Sequence, residues 1–251
     1  MLVVGMLDRP ECGCLELVVT VVGAERGAVW RAQMAHARHG SGTLGVGLMM
    51  MSTVDLVAFV LAALPPPPAR VLEVGCGAGA LARALDDAGY RVLAIDPQAP
   101  EGPIFRRTTL EKLDEADPFE AALASYSLHH VERLDPALDR LVSLLEPQGK
   151  LILEEFGWDR LDRWTAEWYS RQKGKRSVES ALAEWRAEHE GLHGYGEMRR
   201  RLDERFAEHS FEWRPYLYRC LEREGLEARE REAIAGSEIQ AVGFRYVGLR
   251  R

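Results

Sequence analysis

Cysteine is scarce and scattered in this chain. Its four cysteines, Cys12, Cys14, Cys76 and Cys220, form no C-x-x-C pair and no spacing that suits a metal. This argues against a disulfide-stapled fold and a structural zinc site, and it fits a reducing compartment. Long hydrophobic runs are missing as well, since no apolar stretch approaches the roughly 18 to 20 residues of a membrane span. The opening MLVVGMLDRPECGC carries no basic stretch, and Asp8, Arg9, Pro10 and Glu11 cut its apolar residues, so it does not read as a secretory leader. Nor is there an excess of positive charge. A formal net charge of −7 and a pI near 5.6 argue against a footprint for nucleic acid or for an anionic membrane surface. What remains is a cytoplasmic protein, monomer or homodimer, whose partners are small molecules or proteins.

With 251 residues and 47% hydrophobics, the chain has enough material for a sizeable core, and one α/β domain with insertions is the natural expectation. Residues 1–51 do not resemble the rest. LELVVTVVGA suits a strand, but HGSGTLGVGLMMM has neither helical nor strand periodicity, so a poorly ordered extension is expected there. Natural synthesis starting at Met49, Met50 or Met51 is an equal expectation, because the helix start Ser52-Thr53-Val54-Asp55 follows at once. That helix stops at Pro65 to Pro68, which read as a stiff spacer.

From there the chain alternates. ARVLEVG, YRVLAID, DPFEAALAS and KLILEEF read as strands, with GALARALDDAG and LDPALDRLVSLLEPQG as helices. Short apolar strands separated by such helices imply a parallel sheet covered on both faces. Ligands of such sheets bind beyond the carboxyl ends of the strands. Residues 158–226 interrupt the pattern with a charge-balanced, mostly helical stretch holding five of the six tryptophans, Trp158, Trp164, Trp168, Trp185 and Trp213. It suits an insertion over the ligand cleft, although packing of helix on helix explains any single tryptophan better. The tail ends in GFRYVGL, expected to pair as an antiparallel hairpin at the sheet edge.

The candidate site begins at VLEVGCGAG, residues 71–79. Gly75, Gly77 and Ala80 satisfy a dinucleotide pattern, while Gly75, Gly77 and Gly79 satisfy the tighter G-x-G-x-G. No Lys-Ser or Lys-Thr follows, which removes the triphosphate loop and leaves a dinucleotide or another nucleoside cofactor. Glu73 occupies a buried strand where an apolar residue would be ordinary, and an ionised carboxylate there needs a partner. Asp96 closes the second strand, where its two oxygens can accept from both hydroxyls of a ribose.

These features resemble the class I S-adenosylmethionine-dependent methyltransferases, whose first motif is an aliphatic strand, an acid, one residue and G-x-G-x-G. The resemblance runs from about Ser52 to Phe156, takes in FEAALASYSLHHV and LLEPQGKLILEEF, and resumes in the tail. It implies a doubly wound, Rossmann-like α/β fold over 52–251, with a mostly parallel seven-stranded sheet, an antiparallel C-terminal hairpin and the helical insertion at about 158–226. It further implies S-adenosyl-L-methionine as cofactor and a small-molecule methyl acceptor. Gly75, Cys76, Gly77 and Gly79 would pass beneath the methionine part, Glu73 would orient the loop or reach the amino group through water, and Asp96 with Pro97 would hold the ribose. Thr109, Leu110 or Glu111 would lie near the adenine, and Ser125, Tyr126 and His130 near the methyl group. No metal is implied.

A methyl group on a sulfonium is already activated, so holding the acceptor in line can supply up to roughly 7 to 11 kcal/mol. A base is needed only for an acceptor that arrives protonated, and histidine, with an ordinary pKa of about 6.5, suits that task. His129 and His130 follow the fourth strand. Adjacent positions point apart, so at most one faces the cleft, with His130 slightly preferred. Glu154 and Glu155 are the second choice. A nicotinamide-dependent oxidoreductase would leave Glu73 and the tail unexplained, and a regulatory protein that binds cofactor without turnover is the alternative from another class.

Overall fold

A computed structural model describes residues 2–9, 14–21, 28–33 and 55–251, less 175, 176, 222 and 224. Strands β1 (Leu2–Arg9), β2 (Cys14–Val21) and β3 (Ala28–Gln33) make an antiparallel sheet in that order. β2 overlaps the run LELVVTVVGA, beginning one residue ahead of it. The glycine-spaced segment after it, the candidate starts Met49 to Met51 and the cap at Ser52 lie outside the described residues.

Helix α1 covers 55–63 and gives way just ahead of Pro65, which has no amide proton to continue it. The main domain then alternates through β4 (Arg70–Val74), α2 (Ala80–Asp87), β5 (Arg91–Asp96), β6 (Phe105–Arg107), β7 (Phe119–Ser125), α3 (Leu134–Leu144) and β8 (Leu145–Phe156). The insertion holds α4 (Arg163–Gln172), α5 (Val178–Glu188) and α6 (Tyr195–Arg205), and β9 (Phe206–Arg214), α7 (Leu226–Ala235) and β10 (Gly243–Arg250) complete the chain.

The seven strands lie in the order β6-β5-β4-β7-β8-β10-β9. The first five are parallel, and β10 runs antiparallel to both β8 and β9. Alternation along β4 explains why this strand sits at the centre. Leu72 and Val74 join Leu138 and Leu141 of α3 on one face, and Val71 joins Leu81 and Leu85 of α2 with Val57 and Val60 of α1 on the other. Burying each such aliphatic side chain contributes roughly 1.5–3 kcal/mol. Strand order reverses at β4, with β5 on one side and β7 on the other, so a crevice opens beyond the carboxyl ends of β4 and β7.

Two features differ from the sequence expectation. The stretch 158–226 is mostly helical as expected, but it also carries the edge strand β9 at Phe206–Arg214. Its signal is the alternation of Phe211 and Trp213 with Ser210, Glu212 and Arg214, hidden behind the charged helix that precedes it. The final strands pair antiparallel as expected, yet not through a tight turn. Helix α7 lies between β9 and β10, which places β10 inside the sheet, between β8 and β9.

Candidate functional site

The turn after β4 is shaped by its backbone. Gly75, Gly77 and Gly79 have φ of 76°, 50° and 77°, a left-handed region costly for residues with a Cβ. A side chain at Gly75 would collide with Ser127, and one at Gly79 with the Phe105 ring, whereas nothing lies within 4 Å of where a Cβ on Gly77 would stand. The turn is therefore closed at its two ends and open in the middle. The amides of Gly75 and Cys76 donate to Ile95 O at 2.8 and 3.1 Å, which docks the turn on the end of β5. Asp96 Oδ2 accepts from Gly77 N at 3.1 Å while Oδ1 accepts from Gln98 N at 2.7 Å. Pro97 is exposed beside it. Thr109, half-buried, and Leu110, buried, follow β6, whose Arg107 is the register partner of Asp96. Glu111 is exposed.

Glu73 is 3% exposed, between the sheet and α2. The Ala82 amide reaches its carboxyl, but Oε2 is enclosed and has no partner among the described residues. Burial pushes this carboxyl up to about 8, the Ala82 hydrogen bond pulls it down, and the Asp96 charge adds to the rise. Cys76, in the same enclosure, is pushed up to about 12, first by burial and then by the Glu73 and Asp96 charges, so its thiol is no nucleophile at neutral pH. An orphaned acid oxygen beside an open glycine turn fits a ligand that brings a cationic group and a ribose.

On the other side of the crevice, side chains do the shaping. Ser127, which sequence reasoning missed, ties the two strand ends together by donating Oγ–H to Val74 O at 2.8 Å. Glu155, 0% exposed, accepts from Ser127 N at 2.8 Å, Leu128 N at 2.6 Å and His129 Nδ1 at 2.6 Å. A carboxylate only accepts, so His129 is the donor of this bond through its Nδ1–H. Among the described residues no group bonds Nε2. His129 is 4% exposed, and its ring lies 4.8 Å from Phe156 and 4.1 Å from His130. His130 itself is exposed, and partial desolvation of its ring together with the neighbouring His129 lowers its pKa. Tyr126 has φ of 50° and donates its hydroxyl to Glu154 Oε1 at 2.8 Å. Glu154 is not solvated. Arg245 Nη2 donates to its Oε2 at 3.0 Å and to Asp55 Oδ2 at 2.8 Å. Ser125, the last residue of β7, is the register partner of Glu154.

The insertion supplies the outer wall. Glu230 of α7, fully buried, accepts from the amides of Tyr216, Leu217 and Tyr218 at 2.8, 3.0 and 2.8 Å. This fixes the Tyr216 ring flat on Phe156 at 4.0 Å and brings the Arg219 guanidinium 4.6 Å from the Tyr126 ring centre. Trp185 and Trp168 are buried around Phe156, while Trp164 is 67% exposed. As the glycines at 191, 194 and 196 suggest, a loop separates α5 from α6. That loop is stitched to the histidine turn, with His193 N donating to His129 O at 3.1 Å and His193 Nε2 lying 2.9 Å from Val131 O. Among the described residues no group of acids, histidines and cysteines suits a metal ion, and no helix is long and apolar enough to cross a membrane.

A family model described as a methyltransferase domain matches residues 50–230. The ubiquinone biosynthesis O-methyltransferases of Rhodopseudomonas palustris and Bradyrhizobium diazoefficiens are 32% and 31% identical to this chain over 97 residues, 34% of this chain and only 38% of each relative. Among solved structures, the geranyl diphosphate C-methyltransferase from Streptomyces coelicolor superposes with a TM-score of 0.55 at 14% identity, covering 82% of both chains. An S-adenosylmethionine dependent methyltransferase from Mesorhizobium loti gives 0.52 at 20% identity, covering 76% of this chain and 95% of that one. Both likenesses show the Rossmann-like methyltransferase fold.

Proposed function

The chain belongs to the methyltransferase domain family, and on that premise we propose that it transfers a methyl group from S-adenosylmethionine to a small-molecule acceptor. The cofactor, when bound, supplies an electrophilic carbon on a sulfonium, and every other requirement falls to the protein. The observation that carries the reading is the open glycine turn tied by the Gly77 amide to Asp96, the acid that closes the neighbouring strand. Gly77 admits the cofactor chain against bare backbone, and the remaining lone pairs of the Asp96 carboxylate accept from the ribose hydroxyls.

For a protonated acceptor, His129 is the better base of the adjacent pair. Glu155 fixes its ring and tautomer and stabilises the imidazolium that forms, while His130 has no such orienting partner among the described residues. Glu155, with both oxygens engaged, positions the base and does not itself take the proton. The stacked Phe156 and Tyr216 rings exclude water from this end.

Titration calorimetry with S-adenosylhomocysteine and NAD tests the cofactor, with binding of the thioether alone expected. Transfer of a labelled methyl group to a panel of phenols, amines and activated carbon acids then tests the activity. NAD binding without a response to S-adenosylhomocysteine would sink the reading. Binding with no methylated product would identify a cofactor-binding protein without turnover.

A further inference from the structure

Glu73 is a buried acid for which the fold provides too few partners. Its carboxyl takes one hydrogen bond from the Ala82 amide at the start of α2, and Oε2 is enclosed with none from the described residues. The charged groups around it do not help. Asp96 of β5 is like-charged, Cys76 of the turn is a neutral thiol, and Arg83 of α2 acts on Cys76. The α1 and β7 residues lining this face of the sheet, Val57, Val60, Ala121 and Leu123, are apolar. A carboxylate left in that setting pays the full cost of lost hydration, and a buried acid avoids it by keeping its proton. Four residues along, the turn opens at Gly77.

Resting on the function proposed above, we propose that Glu73 is a proton-coupled counter-ion, neutral in the free protein and ionised when the cofactor's ammonium group arrives, so that binding expels one proton to solvent. The balance is simple. The carboxyl O–H bond breaks, the proton leaves to buffer, and the carboxylate formed compensates the incoming positive charge directly or through a water. The upward push on this carboxyl, which keeps it protonated at neutral pH, supports the same conclusion. The proton on Glu73 also lessens repulsion with Asp96 in the absence of ligand. The protein thus carries no buried pair of like charges until a cation is present to offset them.

Titration calorimetry of the wild-type protein with S-adenosylhomocysteine at pH 7, in buffers of different ionisation enthalpy, counts the protons. We expect release approaching one proton per ligand and an affinity that rises about tenfold from pH 6 to pH 7, then flattens above about pH 8. We expect no release with 5′-methylthioadenosine, which keeps the nucleoside and sulfur but has no ammonium group. None is expected from Glu73→Gln, whose amide copies the shape of the protonated acid. Binding without proton release, or equal release from methylthioadenosine or from the glutamine variant, overturns the proposal and leaves the methyltransferase reading intact. Failure of S-adenosylhomocysteine to bind at all overturns both.

Discussion

Two buried glutamates near the carboxyl ends of neighbouring parts of the sheet are treated in opposite ways. Glu155, on β8, has both oxygens satisfied by two backbone amides and an imidazole. Glu73, on β4, has one oxygen with no partner among the described residues. A saturated acid is a fixture that sets the geometry of other groups, whereas an under-satisfied one is held ready for something that arrives. The same contrast runs through the two sides of the crevice. The β4–β5 side is mostly backbone, open at Gly77, and the β7–β8 side is braced by carboxylates, Glu155 on one turn and Glu230 on another. A ligand that never changes needs space and a few polar groups, but reaction chemistry needs rigid angles.

The largest test of that contrast is Glu155→Ala. It frees the His129 ring and strands the amides of Ser127 and Leu128, and methyl transfer to an acceptor found in the screen should fall by about 10²- to 10⁴-fold. S-adenosylhomocysteine affinity, measured in parallel, should stay within about twofold. A matching loss of affinity would show that the two sides are not separable.

Glu73→Gln sharpens the other side. A carboxyl raised in the folded state gives stability that is fully present below about 4.5 and is lost as pH climbs toward about 8. Urea unfolding at pH 9 should therefore find the glutamine variant more stable than the wild type by roughly 4–5 kcal/mol, with the gap mostly closed near pH 4.5. A gap that does not depend on pH would contradict a protonated Glu73.

Asp96→Ala should weaken S-adenosylhomocysteine binding by about 1–3 kcal/mol, the worth of charge-assisted hydrogen bonds, with the domain still folded by circular dichroism. Unchanged affinity would place the ribose elsewhere. The smallest effect belongs to Trp164→Ala. At 67% exposure its loss should shift unfolding free energy by less than about 0.5 kcal/mol, far below the roughly 3–5 kcal/mol expected for buried Trp185.

The cofactor side was legible because its information is local. The aliphatic run, the glycines and the closing Asp96 all lie within one β-α-β unit, where period and turn chemistry speak directly. Glu73 could be marked as odd from its position in a strand, although only the packing of α2 reveals its orphaned oxygen. On the acceptor side, the histidine pair stood out, but its partner did not. Glu155 lies 26 residues beyond His129 and meets it only because β7 and β8 are neighbours in register. Ser127 was hidden for the same reason, since its bond to Val74 spans 53 residues. Arg245 and Asp55, 190 residues apart, could not be paired from spacing at all. β9 escaped notice because Phe211 and Trp213 alternate within a strand that follows the charge-rich α6 without a break.

The bonds from His193 to the main-chain oxygens of His129 and Val131 have an evolutionary consequence. The loop between α5 and α6 is at once part of the outer wall and a brace for the imidazole turn, so the helical segment is not a detachable module. Swapping it wholesale from a relative would loosen the histidine turn unless a matching donor came with it. Changes of substrate in this lineage should thus proceed by replacing side chains that face the cleft, while the seam itself stays fixed.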